Sequence, residues 1–349
     1  MEKLRVGIIG TGGISHMHID GYRQLKNVDI VSGCDIDSEK LDDVCKKYAI
    51  PEQYTDHRDL LEKSDVDVVS ICTSHDAHAE IAINALKAGK HVLLEKPMAI
   101  TSEQARQILD ASKESGKVLM IGFVRRFGDD ADLIMDLKNQ GLFGDIYYVK
   151  ASYLRRYGFP GGWFGNKAKS GGGPLIDLGV HCIDLCRYLM GNPKPLTVSG
   201  SVSYKLGKPD LKDAGEISST RKADIFNVED MATLYIKYDN GAVFYLDTSF
   251  CLNIKSPSGR IELFGDKAGA KIEPDVELYT TMSGRMVDIL PAKKAQFDFR
   301  EGFRREIKHF VECVTLGIPC KSPGEDGLMV TKIIEAGYKS AETGREICF

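Results

Sequence analysis

The chain has 349 residues, 43% of them hydrophobic and 28% charged, the profile of a soluble globular protein long enough for two domains. Its 46 basic and 50 acidic residues leave a net charge of -4 without the basic stretch that marks a nucleic-acid binder or a membrane-surface protein. No apolar run approaches the roughly 18 residues needed to span a bilayer, so the expected partner is a small molecule, with no nucleic acid and no membrane.

Leu4–Ile9 is a largely apolar, β-branched run that breaks at Gly10, too early for a secretory core despite the early positive charge of Lys3 and Arg5. It reads as the first strand of a fold. Gly10-Thr11-Gly12-Gly13-Ile14-Ser15 follows directly and opens the first helix. Gly10 suits a tight turn, and Gly12 lets the backbone approach a pyrophosphate seated on the helix N-terminus. Ser15 stands where this fingerprint carries Gly or Ala. The second strand, from Val28, closes on Asp35, about 20 residues past the loop, where a carboxylate accepts from ribose hydroxyls and repels a 2′-phosphate. The expected cofactor is therefore NAD rather than NADP. Asp37 competes for that role, with helix capping as its alternative.

Further runs at Val66–Cys72, His91–Leu94 and Val118–Ile121 alternate with amphipathic stretches at Ala77–Ala88 and Ser102–Ser115. Strands this apolar are covered on both faces, and the alternation predicts an α/β domain with a doubly wound parallel sheet over residues 1–122. Glu95-Lys96-Pro97 falls just past the fifth strand, at the carboxyl edge where such sheets bind ligands. Lys96 there can polarise a substrate oxygen or be an ordinary surface lysine. Glu95 can fix it or cap a nearby backbone group.

From 123 to 349 the pattern changes to an α+β domain with a mostly antiparallel, open sheet. Strands follow one another over 145–157 and from Leu196 to Leu290, with Asp239-Asn240-Gly241 as a hairpin signal. Helices are expected near Pro174–Met190, at Phe303–Thr315 and at Asp326–Thr343. One sheet face would be covered and the other left for substrate or a second subunit. Arg125, Arg126, Arg155, Arg156, Tyr157 and Trp163 precede the run Gly171-Gly172-Gly173, whose backbone could pass close to a ligand. Asp177 and His181, four apart at a helix start, project from one face. A histidine of near-neutral pKa suits proton transfer from a secondary alcohol, and a satisfied core histidine is the alternative. Asp184 beside His181 lacks a third ligand, as do Cys182 and Cys186, so no metal is expected. The nine cysteines include no C-x-x-C pair and read as reduced thiols of a cytoplasmic protein. His16 and His18 read as structural.

Gly10–Ser15, Asp35, the stretch from Gly89 to Pro97, the stretch from Gly171 to His181 and the closing Ser340-Ala341-Glu342-Thr343-Gly344-Arg345 together resemble the Gfo/Idh/MocA oxidoreductase family over essentially the whole chain. The resemblance implies an NAD-dependent dehydrogenase acting on CH-OH groups, moving a hydride to or from a secondary alcohol carbon of a sugar, cyclitol or glycoside. It implies Lys96, Asp177 and His181 as catalytic residues: His181 the acid/base, Asp177 its partner or a substrate ligand, Lys96 the hydroxyl polariser. Thr73-Ser74-His75-Asp76-Ala77-His78 matches the family's Thr-Pro-Asn-x-x-His at Thr73 and His78 and departs at Ser74 and His75. The cofactor set is thus Gly10, Gly12, Gly13, Ile14, Asp35, Thr73, His75, His78, Glu95 and Lys96. The substrate set is Arg126, Arg156, Tyr157, Trp163, Asp177 and His181.

A homodimer or homotetramer built through the open sheet face is also implied. Two other functions compete, the first of which keeps the same residues while the intact Lys96, Asp177 and His181 argue against the second. One is a glycoside-cleaving enzyme that oxidises a ring hydroxyl transiently. The other is a non-catalytic sensor of dinucleotide or sugar.

Overall fold

The computed structural model describes residues 3–207 and 225–349. Residues 208–224, inside the stretch read as successive strands, and residues 1–2 lie outside the described residues. The chain divides into two units, Met1–Phe127 with Phe299–Thr331 and Gly128–Asp298 with Lys332–Phe349. The sequence reading, with its single division after 122, did not assign 299–331 to the first unit. A helix sequence shows its apolar stripe but not which sheet the stripe covers.

The first unit opens with β1 (Leu4–Ile9), α1 (Ser15–Arg23), β2 (Val28–Cys34), α2 (Ser38–Tyr48), β3 (Glu52–Tyr54), α3 (His57–Lys63) and β4 (Val68–Ile71). It continues with α4 (His78–Lys87), β5 (His91–Glu95), α5 (Ser102–Ser115) and β6 (Leu119–Gly122). Val6, Ile8, Val68, Val69, Ile71, Val92, Leu93 and Leu94 are all inaccessible to solvent. Strands buried on both faces need helices on both sides, as in a doubly wound sheet. The six strands are parallel in the order β3-β2-β1-β4-β5-β6, and the order reverses between β1 and β4, where such sheets bind ligands at their carboxyl ends. The sequence reading missed β3 because its three residues, Glu52, Gln53 and Tyr54, carry no apolar run and none is buried.

The second unit runs through α6 (Asp129–Asn139), β7 (Ile146–Leu154), α7 (Lys167–Ser170), α8 (Val180–Met190) and β8 (Pro195–Ser203). Then come β9 (Met231–Tyr238), β10 (Val243–Ser249), β11 (Ser258–Gly265), β12 (Ala268–Lys271), β13 (Glu277–Met282) and β14 (Arg285–Ile289). The last elements are α9 (Phe299–Leu316), which belongs to the first unit, α10 (Gly324–Thr343), which begins in the first and ends in the second, and β15 (Ile347–Cys348).

The second sheet has the order β14-β13-β12-β11-β7-β10-β9-β8-β15, antiparallel throughout except for the β7–β10 pair. Along β9, Ala232, Leu234, Ile236 and Tyr238 are buried while Thr233, Tyr235 and Lys237 are not, the alternation of a sheet covered on one face. Gly337 of α10 and Gly200 of β8 allow the covering helix to sit close, since a Cβ at Gly200 would strike the Gly337 carbonyl. The other face carries Tyr148, Lys150, Tyr235 and Tyr245, with Tyr148 stacked on Phe264 at 5.2 Å.

Candidate active site

In the first unit the glycine loop leaves β1 at the carboxyl edge of the sheet. Gly10 has φ +90°, and a Cβ there would lie 2.6–2.8 Å from the backbone of Cys72 and Thr73, so only glycine fits. A Cβ at Gly12 would meet nothing within 4 Å, which leaves its backbone open to close approach, as a pyrophosphate requires. Ser15 is buried and donates its hydroxyl to the Gly12 carbonyl at 2.7 Å, so the departure at the third fingerprint position closes the loop on itself. Gly13 and Ile14 lead into α1, with Ile14 at its N-cap.

Asp35 has a task within the protein. Its Oδ2 accepts from the Thr11 amide at 2.7 Å and the Thr11 hydroxyl at 2.9 Å, and its Oδ1 accepts from the Asp37 amide at 3.0 Å. A carboxylate offers about four acceptor positions, so capacity remains for a ribose hydroxyl. Asp37 is the N-cap of α2 and accepts from the Lys40 amide at 3.2 Å. The residues of this edge therefore fit a dinucleotide.

Lys96 is half-buried at the carboxyl end of β5, and its peptide bond to Pro97 is cis. Glu95 and His78 hold this turn. Glu95 Oε2 accepts from the Lys96 amide at 3.2 Å, while Oε1 lies 2.8 Å from His18 Nε2. Gly122 leaves space for that carboxylate, since a Cβ there would stand 3.2 Å from Oε1. His18 Nδ1 in turn meets the Ser70 hydroxyl at 3.2 Å, and Tyr22 bonds the same hydroxyl at 2.8 Å. His78 is inaccessible to solvent, with Nδ1 2.8 Å from the Pro97 carbonyl and Nε2 3.3 Å from the Thr73 carbonyl. Burial holds its pKa below the ordinary 6.5, against the pull of those carbonyls. His75 is buried as well, its ring 5.7 Å from that of His78.

In the second unit, Asp177 lies on a π-helical turn, Leu175–Gly179, that runs into α8, where His181 follows. Turns of this kind are rare and concentrate at functional sites. Asp177 is buried and His181 half-buried. Two of the three glycines before them, Gly172 and Gly173, sit hard against protein. A Cβ at Gly172 would overlap the Tyr338 hydroxyl, and one at Gly173 would overlap the Glu229 carbonyl. Glu229 explains the crowding: its carboxylate accepts from the amides of Gly173 at 2.9 Å and Leu175 at 3.2 Å and from the Tyr338 hydroxyl at 2.7 Å. Desolvation pushes its pKa up, opposed by these hydrogen bonds.

The substrate set separates. Arg126 is 1% exposed, with Nη1 2.9 Å from Asp326 and 2.6 Å from the Lys321 carbonyl, a core ion pair of the first unit. That geometry removes it from the substrate set. Arg156 is exposed and donates to the Lys255 carbonyl at 3.1 Å. Tyr157 bridges to Cys251 and packs against Phe159, Leu178 and Phe250, while Trp163 stacks on Phe164 at 3.9 Å. Sequence reasoning missed Glu229 and Tyr338 and read His18 only as structural. Glu229, in the segment before β9, and Tyr338, on α10, lie far from the glycine run in sequence, and no spacing rule links them.

Family models match both parts of the chain. An "Oxidoreductase family, NAD-binding Rossmann fold" model of the Gfo/Idh/MocA family matches residues 4–123, and the family's "C-terminal alpha/beta domain" model matches 137–349. A D-glucoside 3-dehydrogenase of Escherichia coli is 35% identical over 349 residues, covering 99% of this chain and 97% of the relative. A myo-inositol 2-dehydrogenase of Thermotoga maritima is 25% identical, covering 99% and 98%. Among solved structures, an oxidoreductase domain protein from Kribbella flavida superposes with a TM-score of 0.88 at 25% identity, covering 100% of this chain and 99% of that one.

Proposed function

The chain belongs to the Gfo/Idh/MocA oxidoreductase family, and on that premise we propose that it oxidises the ring 3-hydroxyl of a D-glucoside, or reduces the matching ketone, with NAD(H). The observation that carries the reading is Lys96 at the carboxyl edge of a dinucleotide-binding sheet, on a backbone turn held by Glu95 and His78. NAD, held by the Gly10–Ile14 loop, Asp35 and the Thr73–His78 loop, supplies the hydride acceptor when bound.

Lys96 donates to the carbinol oxygen and stabilises the negative charge that develops there. His181 takes the hydroxyl proton, and Asp177 orients that imidazole or the substrate. Arg156, Tyr157 and Trp163 line the sugar in this reading. Nine free cysteines support a reducing, cytoplasmic setting. None of the described helices is long and apolar enough to cross a membrane. The aromatic open face of the second sheet supports assembly into a homodimer or homotetramer, which sedimentation tests.

A methyl D-glucoside deuterated at carbon 3, incubated with enzyme and NAD, is expected to give deuterated NADH and a keto sugar. NADH without deuterium would move the reaction to another carbon, and no NADH from any glycoside or polyol would overturn the assignment. Aglycone released without net NADH would mark the glycoside-cleaving variant. His181→Ala is expected to lose about 10²–10⁴ of the rate while still binding NAD.

A further inference from the structure

α9 carries a second cluster of reactive side chains, remote in sequence from Lys96 and unused by the reaction above. His309 and Cys313 are four residues apart and so share a helix face. Their Nε2 and Sγ atoms lie 3.4 Å apart. The chain leaves α9 at Leu316, turns through Gly317 at φ +68° and returns Cys320 to the same place. The two sulfurs and Nε2 then lie within 4.8 Å of one another.

The donor set points to one class of ligand. Two thiols and an imidazole, with no carboxylate among them, select zinc-class ions over magnesium or calcium. With Zn–S near 2.3 Å and Zn–N near 2.0 Å, a tetrahedral site has a sulfur–nitrogen edge of about 3.5 Å, close to the separation already present. Cys313 is buried, while His309 and Cys320 are half-buried and give an ion a way in.

The cluster is also preorganised. The Ile121 amide donates to the Ser322 carbonyl at 2.9 Å, and the Ser322 hydroxyl donates to the Ile121 carbonyl at 2.8 Å. Arg126 holds the Lys321 carbonyl, and the Lys321 amide donates to His309 Nε2 at 2.9 Å. That last bond makes Nε2 the unprotonated ring nitrogen, with its lone pair engaged by the Lys321 amide. An ion has only to displace one amide hydrogen bond to reach it.

We propose that His309, Cys313 and Cys320 bind one zinc-class divalent ion, with water or another outside donor in the fourth position. The ion joins the end of α9 to the segment that leads into α10. This revises the sequence expectation of no metal, which weighed only Cys182 with Cys186 and His181 with Asp184.

The test uses reduced, full-length protein titrated with cobalt(II) under nitrogen. One equivalent is expected to produce a thiolate-to-cobalt charge-transfer band that zinc abolishes. Cys313→Ser and Cys320→Ser should each lose the band and still bind NAD, whereas Cys182→Ser should keep it. Should the serine variants fold poorly, wild-type protein provides a second readout: zinc should protect Cys313 and Cys320 from alkylation, mapped by peptide mass. No band at stoichiometric cobalt, a band that survives both serine variants, absent protection, or a native Cys313–Cys320 disulfide whose reduced form takes no cobalt would each overturn the proposal.

Discussion

Glu95 Oε1 and His18 Nε2 stand 2.8 Å apart, both side chains buried, and the same carboxylate accepts from the amide of Lys96. The lysine turn is thereby tied through His18 to Ser70 on β4 and Tyr22 on α1, with buried Glu306 of α9 close by. A buried network of this kind fixes a functional group's direction at a cost if any member is lost.

His18→Ala is therefore expected to act in two ways. It leaves the Glu95 carboxylate with one fewer partner in a buried setting, a loss of about 1–3 kcal/mol in urea unfolding. It should also lower kcat more than it raises the KM for NAD, because Lys96 shifts while the glycine loop does not. His18→Asn, which can still donate, should recover part of kcat. Wild-type kcat in the alanine variant would remove His18 from the positioning of Lys96.

Asp35 joins two roles that the sequence suggested only in part. It braces the glycine loop through Thr11 and retains about one acceptor position for ribose. Asp35→Ala should weaken NAD binding about tenfold or more and narrow the preference for NAD over NADP. Thr11→Val, which loses only the hydroxyl bond, should weaken both dinucleotides alike. Calorimetric titration separates the two effects, and unchanged selectivity in Asp35→Ala would leave the carboxylate a loop brace alone.

What could be read from the chain follows from how local the determining forces are. The parallel sheet, the glycine loop and the stripe of Phe303, Ile307, Phe310 and Val311 on α9 were legible because each depends on a short pattern of burial or turn chemistry. Asp177 and His181 stood out by their spacing at a helix start, but the π turn carrying Asp177 was not legible, since it depends on how the segment packs. Arg126 looked like a substrate ligand because its partner, Asp326, lies two hundred residues away. Glu229 and Tyr338 are remote for the same reason, and His309, Cys313 and Cys320 combine a local helical spacing with a return that only the tertiary structure provides.

Acid should weaken the first unit through its histidines. His78 and His91 both have pKa values held below the ordinary 6.5, chiefly by burial, and His16 is lowered by burial and Lys47. The folded state thus binds these protons less readily than the unfolded chain. Their contribution is complete above about pH 6.5 and is lost as the pH falls through the folded values. Urea midpoints measured from pH 8 to pH 5 should decline on the acid side of 6.5, and His78→Gln should flatten that slope. An unchanged slope in the variant would show that His78 titrates alike in both states.

The glycine run offers a way to tell packing from ligand contact. If Gly172 exists to clear the Tyr338 hydroxyl, Gly172→Ala forces that hydroxyl off Glu229 and lowers stability by roughly 1–3 kcal/mol. Tyr338→Phe costs a hydrogen bond in the wild type, about 1 kcal/mol, yet in the alanine background removes the worst of the overlap, leaving the ring Cζ at 2.6 Å to be relieved by a smaller shift. The double variant should therefore be more stable than the sum of the single losses, a coupling that unfolding curves resolve when it exceeds about 0.5 kcal/mol. A glycine kept for ligand approach behaves otherwise: Gly172→Ala would leave unfolding unchanged, raise the KM for the sugar, and show no coupling to Tyr338.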